Sequence, residues 1–297
     1  MRIFCSFTGG PEVRPLPDLP VRVYDARSPR ISTWSALLRA AAEILAAREV
    51  IWRLFLRDFI SQFRQRLLGY AWALVTPLLG ISSFLLLNYA GVLDPGKLFV
   101  PYPLYLLLGT TAWGLLVGSV AVVSSALLTH GDLVLRTSIP RMALAVASLA
   151  GLFYAQVVNF VVLGVILLVS GVIPSWGALV LPVMLLPVLI LGVGIGLVLA
   201  VTGAVVRDFT GVVTTLLGLM MYITPAVYVP TSQSPWLQAA VMYNPLTYLI
   251  DEPRNVFFLG SIKHLEGFAL ALLFSALVLV GGIRAFYLIE DHVAEQL

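Results

Sequence analysis

Six long apolar stretches, none of which contains a charged residue, constrain this chain more than any other feature. They are Tyr70 to Tyr89, Leu104 to Leu128, Met142 to Ser170, Ala178 to Val201, Gly211 to Val229 and Phe268 to Ile283. A helix needs about 20 apolar residues to cross the roughly 30 Å hydrocarbon core of a bilayer. The stretches are uniformly apolar and lack the alternation of a membrane barrel, so only helices would satisfy their backbone in lipid. The sequence therefore predicts an all-α polytopic membrane protein with six transmembrane helices.

The basic residues fall almost entirely on one side of the implied membrane. Fifteen are on that side, eleven of them Arg residues that precede the first stretch, followed by Arg136, Arg141, Arg207 and Arg284. The three on the other side are Lys97, Arg254 and Lys263. Because Lys and Arg are enriched in cytoplasmic loops, we expect both termini of this membrane protein to lie in the cytoplasm.

The residues before the first stretch divide into two parts. Residues 1–31 contain scattered proline and glycine and lack the apolar core of a signal peptide, so we interpret them as a flexible cytosolic segment. Over residues 32–68, apolar residues recur at helical spacing between Arg residues, which predicts an amphipathic cytoplasmic interface helix with Ser32 or Thr33 as its N-cap. A soluble helix packed on another cytosolic element is the alternative. Residues 69–290 then form the six-helix transmembrane domain, and residues 291–297 a cytoplasmic tail.

The six stretches contain no Asp, Glu, Lys, Arg or His that could relay protons or ions, as secondary transporters commonly do. The chain also lacks the G-x-x-x-x-G-K-[ST] loop that cradles the phosphates of ATP. Its single cysteine, Cys5, excludes an internal disulfide, and no spacing of residues fits a metal site. If the protein is a pump, a separate ATPase chain must drive it.

Several short motifs follow one another along the chain. They are RDF at 57–59, FRQ at 63–65, LGYAWA at 68–73, Pro77, LVLR at 133–136, IPR at 139–141, VRDF at 206–209, YITPAVY at 222–228 and YNPLT at 243–247, with Arg254 shortly after. In order and spacing they resemble the ABC-2 type permeases that export polysaccharide or polyol phosphate across the inner membrane. That family includes exporters of O-antigen, capsule and teichoic acid. The resemblance covers the chain from about residue 34 to the C-terminus.

The resemblance implies where a partner ATPase would dock. The turn between the second and third spans would be the coupling helix, and two Arg-Asp pairs at the inner membrane surface would connect the interface helix to the bundle or to the ATPase. The residues assigned to this coupling are Asp132, Leu133, Val134, Leu135, Arg136, Arg57, Asp58, Arg207 and Asp208. From the residues alone, a plain polar loop in which Arg141 anchors the third span by snorkelling stays open.

The segment between the fifth and sixth stretches is too apolar for a hydrated loop and too rich in proline for one spanning helix. Two short half-helices broken near Asn244-Pro245 fit it better. We expect a re-entrant element at the outer mouth of a passage, with an outer gate formed by Pro225, Tyr243, Asn244 and Pro245. An external hairpin at the membrane interface is the alternative.

Aromatic residues are candidates for the lining of such a passage, because their faces can stack on sugar rings without a fixed hydrogen-bond geometry. The candidates are Trp72, Phe84, Tyr89, Tyr102, Tyr105, Trp113, Tyr222 and Tyr228. Tyr and Trp also populate membrane interfaces for ordinary amphipathic reasons, and that explanation stays open for each of them.

Glycines spaced four apart mark faces where helices approach closely. Gly114 and Gly118 form one such pair, and Gly192 and Gly196 another. Six spans without an ATPase make half a transporter, so we expect a homodimer with the passage near its two-fold interface. Two ABC ATPase subunits would complete it and would bind ATP and Mg, with no cofactor on this chain.

These observations predict the permease subunit of an ATP-driven exporter that moves a lipid-linked polysaccharide, of O-antigen or capsule type, across the inner membrane. An ABC-2 exporter of a drug, lipid or peptide is one alternative. A membrane-embedded enzyme of lipid or glycan assembly is another, and it would need the grouping of Asp251, Glu252 and His264. A passive channel is a third, although no ring of polar residues is visible in the spans.

Overall fold

A computed structural model describes residues 32–64, 69–129, 139–205, 207–229 and 235–293 of the chain. Within these ranges the chain forms α-helices joined by short turns, one 3-10 turn at Trp176–Ala178, and no strand. The helices are α1 Thr33–Ala46, α2 Arg48–Arg64, α3 Gly69–Tyr89, α4 Tyr102–Thr129, α5 Arg141–Ala147, α6 Ala150–Ser170, α7 Leu181–Met184, α8 Leu186–Val205, α9 Arg207–Ile223, α10 Pro235–Tyr243, α11 Pro245–Leu259 and α12 Leu265–Val293.

Four helical segments of the described chain are long and apolar enough to cross a membrane. They are Tyr102–Leu127, Arg141–Ser170, Leu181–Gly203 and Leu265–Leu288. They match four of the six predicted spans. The other two predictions correspond to the shorter apolar helices Leu74–Tyr89 and Asp208–Ile223. Leu74–Tyr89 is part of α3, whose 21 residues reach about 31 Å, whereas the 17 residues of α9 reach about 25 Å, which is less than the hydrocarbon core.

Two of the long segments are interrupted helices. A turn at Ser148 and Leu149 separates α5 from α6, and Leu185 separates α7 from α8. Both junctions keep a nearly helical path, since the backbone N–H of Leu185 still donates to Leu181 O at 3.0 Å. The interruptions therefore bend the predicted third and fourth spans without ending them.

Helices α4 and α8 form the centre of the bundle, and glycines on α8 allow its neighbours to approach. A side chain at Gly192 would collide with Ser119 and with the backbone of Leu116 on α4. On the other face, a Cβ at Gly194 would lie 2.7 Å from the backbone nitrogen of Leu279 on α12. Helix α8 is therefore packed between α4 and α12 through its backbone.

The structure shows close helix contacts at both members of one predicted glycine pair and at one member of the other. Gly196 packs against Val123 of α4, which together with Gly192 confirms that pair as a helix contact. A Cβ at Gly118 would lie 2.6 Å from the side chain of Leu152 on α6. A Cβ at Gly114 would meet none of the described residues, so Gly114 forms no helix contact within that part of the chain.

The predicted interface helix is two helices, because the chain breaks at Ala47 between α1 and α2. Helix α1 packs on the end of α12, where the Tyr287 hydroxyl donates to Glu43 Oε2 at 2.8 Å. Helix α2 packs on the start of α6, with the ring centres of Phe55 and Phe153 6.0 Å apart. We call this end of the bundle, with the Arg residues of α1 and α2, the basic end.

Helices α1 and α2 also leave large apolar side chains uncovered. Trp34 and Leu38 of α1 and Trp52 of α2 are all exposed, while Ala36 and Ala40 are buried against the bundle. Ser32 is the N-cap residue of α1, as predicted, but its side chain makes no capping hydrogen bond. Each helix thus has one face on the bundle and an apolar surface available to a bilayer.

The chain between the fifth and sixth predicted spans forms two short helices, α10 of 9 residues and α11 of 15 residues. They break at Asn244, as predicted. The Asn244 side chain caps α11 by accepting from Leu246 N at 3.0 Å, and Pro245 occupies the first helical position, where no N–H is needed. We call the end of the bundle that contains α10, α11 and the start of α12 the opposite end.

Candidate functional site

Two of the sequence motifs meet at the opposite end. The turn Thr224 to Val227 is buried, and the YNPLT motif begins α11 beside it. The Asn244 amide donates to Thr224 Oγ1 at 2.9 Å, while the Thr247 hydroxyl donates to Val241 O at 2.8 Å. One asparagine thus caps a helix and connects that helix to the preceding turn.

Arg254 lies between these motifs and α4, and only 2% of it is exposed. One guanidinium nitrogen is 2.6 Å from Asp251 Oδ1, and the other terminal nitrogen donates to Ala226 O at 2.8 Å. The guanidinium carbon is 3.6 Å from the ring centre of Tyr105, which is a cation–π contact. The Tyr105 hydroxyl donates to Tyr228 O at 3.1 Å. We call these five residues the Arg254 cluster.

The Arg254 cluster leaves no room for a side chain on the neighbouring turn of α4. A Cβ at Gly109 would collide with Ala226 O and with the Arg254 guanidinium. The turn after α9, the middle of α11 and the first half of α4 are therefore in direct contact.

Burial and charge act in opposite directions on the acid of this cluster. Burial raises the pKa of Asp251 to about 6, and the Arg254 guanidinium beside it lowers that pKa, though by less. The Asp251 side chain is about a quarter exposed, so one side of the ion pair is open to the surroundings of the bundle. Asp251 is therefore able to change its charge near neutral pH.

Glu252 and His264 have structural contacts of another kind. Glu252 is fully buried and accepts from the backbone N–H groups of Lys263 at 2.8 Å and His264 at 3.1 Å. A carboxylate at this place caps the start of α12. Asp251 pairs with Arg254, and Glu252 caps a helix. Both acids of the grouping with His264 that an enzyme would need are therefore engaged in structural contacts.

The residues predicted as an outer gate differ in exposure. Pro225 and Asn244 are buried, Pro245 is half-buried and Tyr243 is 82% exposed. All four lie at the opposite end, on the turn or at the junction of α10 and α11. Their gating role stays a prediction.

The aromatic residues predicted to line a passage lie on several surfaces. Tyr102, Tyr105 and Trp113 are buried along α4 inside the bundle, and Phe84 and Tyr228 are half-buried. Tyr89 and Tyr222 are exposed, and the side chain of Trp72 lies outside the described residues. The structure brings together Tyr105, Tyr228 and Tyr222, because the Tyr228 hydroxyl donates to Tyr222 O at 2.8 Å.

The predicted coupling residues lie at the basic end or outside the described part. Asp132, Leu133, Val134, Leu135 and Arg136 belong to the undescribed segment 130–138. Arg57 Nε is 2.8 Å from Asp58 Oδ1, in an ion pair within α2 that is partly open to solvent. Arg207 begins α9, and Asp208 is exposed in its first turn. The structure therefore places Arg57, Asp58 and Asp208 at helix surfaces.

Sequence reasoning noted Arg254 but assigned it no role. The signal was present, since Arg254 is one of only three cations on the predicted outer side and lies within a segment too apolar for a loop. Such a cation needs buried partners. Its partners Tyr105 and Ala226 are remote in sequence, and only the folded chain identifies them.

The chain combines several long apolar helices with short helices at one end and amphipathic helices at the other. This arrangement defines a multi-pass membrane protein. The model of the family described as ABC-2 type transporter matches residues 49–258. The chain belongs to this family of membrane transporters.

Curated relatives extend the comparison over most of the chain. The chain is 24% identical to an O-antigen export system permease protein RfbA from Klebsiella pneumoniae, over 80% of this chain and 91% of that protein. It is also 24% identical to the protein of the same name from Myxococcus xanthus, over 75% of this chain and 85% of that protein. A second Klebsiella pneumoniae protein of that name is 24% identical over 73% of this chain and 85% of its own length.

Proposed function

We propose that this chain is the permease subunit of an ATP-driven exporter that moves a lipid-linked polysaccharide of the O-antigen type across the bacterial inner membrane. The observation that carries this proposal is the extent of the similarity. Three proteins named as O-antigen export permeases align with it over 85% or more of their own lengths. The similarity therefore extends over most of each permease rather than over a shared fragment.

The driving force would come from a partner ABC ATPase that binds ATP and Mg²⁺. Membership of an ABC transporter family implies such a partner, and this chain has no phosphate-binding loop of its own. We infer that the ATPase docks at the basic end, where segment 132–136 and the exposed pair Arg57-Asp58 would receive its motion. Surface ion pairs contribute only about 0–1 kcal/mol, so their role would be positioning rather than stability.

For the topology we propose six spans, with α9 as the shortest one and both termini in the cytoplasm. Helices α10 and α11 would enter the membrane from outside and return, because neither is long enough to cross. Residues 1–31 and 291–297 would be cytosolic, residues 32–68 an interface element and residues 69–290 the transmembrane domain. The bias of Lys and Arg supports this orientation.

For the passage we propose a site at the two-fold interface of a homodimer, completed by two ATPase subunits. The Arg254 cluster supports this arrangement, because it packs α4 directly against α11 through Arg254, Tyr105 and the tight approach at Gly109. Exposed aromatics such as Tyr89 and Tyr222 would line an interface passage, and Tyr243 would lie at its outer mouth.

Reconstitution with the partner ATPase tests the function. We expect ATP hydrolysis to be stimulated by a lipid-linked glycan and the glycan to cross the membrane of the vesicle. Stimulation by a drug or a peptide in its place would favour the other exporters of this class. Transport driven by an ion gradient without ATPase would overturn the proposal.

A second experiment tests the coupling route within the same system. Replacing both Asp132 and Arg136 by alanine is expected to abolish ATPase docking and glycan transport together. The coupling assignment is wrong if transport continues when the ATPase no longer docks on the altered turn.

A further inference from the structure

A cleft of about 570 Å³ opens at the opposite end, between the pair α10–α11 and the first turns of α12. It lies outside the Arg254 cluster, and its lining includes Met242, Tyr243, Tyr248, Glu266, Leu270 and Phe274. Neither the family match nor the names of the relatives assigns a ligand to it. Its size and its mixed chemistry suit a ligand with one polar and one apolar part.

Tyr248 forms a fixed wall of this cleft. Its hydroxyl donates to Met242 O at 2.8 Å, and its ring meets the His264 ring nearly edge-on at 6.1 Å. The ring also packs directly on Gly267, where a Cβ would collide with it. The wall is therefore already in place before a ligand arrives, which lowers the entropy cost of binding.

The lining changes from charged to apolar along one face of α12. Glu266 is exposed in the first turn, and Leu270 and Phe274 follow it at spacings of four residues. They are 68% and 44% exposed, so both present open apolar surface to the cleft. At 1.5 Å per residue the face extends about 12 Å from the carboxylate toward the bilayer interior. An amphiphile with its polar part at the helix start fits this gradient.

The carboxylate of Glu266 has no ion-pair or hydrogen-bond partner among the residues that the structure describes. The two neighbouring cations are engaged, since Arg254 pairs with Asp251 and the Lys263 ammonium lies 5.2 Å from the Phe99 ring centre. A free carboxylate in a partly apolar cleft attracts a cation that can donate hydrogen bonds. The exposed ring of Tyr243 adds an aromatic face to the same lining.

We propose that this cleft binds one aminophospholipid, with its primary ammonium group on Glu266 and an acyl chain along Leu270 and Phe274. A primary ammonium donates hydrogen bonds to a carboxylate, whereas a quaternary ammonium needs a cage of several rings. A free glycan is a poorer fit, because the apolar face of α12 would leave its hydroxyl groups without partners. The inference concerns a bilayer lipid and does not depend on what the protein transports.

Native mass spectrometry of the full chain in detergent tests the proposal directly. The protein is offered phosphatidylethanolamine, phosphatidylcholine and phosphatidylglycerol with identical acyl chains. We expect one phosphatidylethanolamine to be retained in preference to the other two. The variant Glu266→Gln should lower its retention about fivefold, as expected for the loss of one charge-assisted hydrogen bond.

Glu49→Gln is the matched control, because Glu49 is also an exposed carboxylate in the first turn of a helix, but at the basic end. It should leave lipid retention unchanged. Leu270→Trp fills the cleft from an exposed position and should lower retention of all three lipids. Binding is measured without ATP or glycan, so a failure here leaves the proposed transport function untouched.

Three results would overturn the proposal. The first is unchanged retention of phosphatidylethanolamine by Glu266→Gln, and the second is equal retention of the choline lipid by the unaltered protein. The third is a disulfide between two protomers formed by Leu270→Cys in a Cys5→Ser background. Such a disulfide would show that a second copy of the chain covers the cleft.

Discussion

Arg254 is buried, and segments that are remote from it in sequence supply most of its contacts. Removing a guanidinium from water is costly unless its donors find acceptors, and both terminal nitrogens do so here, through Asp251 and Ala226 O. The flat guanidinium also lies over the Tyr105 ring, which the compact ammonium of a lysine could not reproduce. The residue thus connects α11, the turn after α9 and α4 without adding much net stability of its own.

Removing the charge of Arg254 leaves its partner buried and unpaired. We expect Arg254→Met to lower the free energy of unfolding by about 3 kcal/mol, the lower end for a broken buried pair, because the Asp251 side chain is about a quarter exposed. The double variant Arg254→Met with Asp251→Asn should recover part of that loss. Thermal unfolding of the detergent-solubilised protein measures both. Equal losses in the single and double variants would show that the ion pair is not the cause.

The raised pKa of Asp251 predicts a pH dependence of stability. Between its unfolded pKa of 3.8 and its folded pKa of about 6, the folded protein binds a proton that the unfolded chain has released. The contribution of Asp251 to the free energy of unfolding therefore decreases as pH rises through this window. Asp251→Asn should flatten the fall in midpoint temperature between pH 4 and pH 6, while Glu49→Gln should not. An unchanged slope in Asp251→Asn would contradict the assignment.

Gln156 is a polar residue without a matching environment. It is 7% exposed, its Oε1 has no hydrogen-bond partner among the described residues, and it lines an apolar cavity of about 140 Å³ beside Leu115 and Leu185. Burying such an amide costs free energy that a methionine of similar shape avoids. We expect Gln156→Met to raise the free energy of unfolding by about 1 kcal/mol in thermal unfolding. A destabilised variant would reveal a partner that the single chain does not provide.

At the scale of helices, residue spacing predicted some junctions and missed others. The break at Asn244-Pro245 was predictable, because proline starts a helix well and asparagine caps one. The break at Ala47 was not, because nothing in a run of good helix formers marks it. On either side of Ala47, α1 packs on α12 and α2 packs on α6. These two tertiary contacts determine where α1 ends.

The contact of α8 with α4 offers a prediction about an element. Gly192→Ala places a Cβ against Ser119 and the backbone of Leu116, so we expect a loss of about 2 kcal/mol from overpacking. Gly114→Ala is the control, because Gly114 has open space on α4 and alanine is the better helix former. Unfolding of both variants in detergent measures the difference. Equal losses would contradict close packing of α8 as the reason.

At the scale of the whole molecule, the distribution of charge gives it two unlike ends. One end combines Arg-rich helices with exposed tryptophans, and the other combines a closed polar cluster with few cations. This asymmetry is consistent with the proposal that an ATPase docks at one end and cargo leaves at the other. The orientation of the two ends in the membrane is a proposal that labelling can test.

Cysteine labelling is convenient because Cys5 is the only native thiol. In a Cys5→Ser background we expect Ser261→Cys, exposed at the opposite end, to react with an impermeant maleimide on intact cells. Ser35→Cys, exposed at the basic end, should react only after permeabilisation. The reverse pattern would invert the proposed topology and remove the case for ATPase docking at the Arg-rich face.

The amino-acid sequence alone determined that the chain is helical, crosses a membrane several times and belongs with ABC-2 permeases. The helical, membrane-crossing character follows from local composition, because apolar length and Arg placement act residue by residue on transfer into lipid, whereas the family resemblance depends on the order and spacing of short motifs. Only the tertiary structure decided that Arg254 stacks on Tyr105, that Glu252 caps α12 and that α10, α11 and α12 enclose a cleft. These contacts join residues distant along the chain, and their energies exist only once packing brings the side chains together.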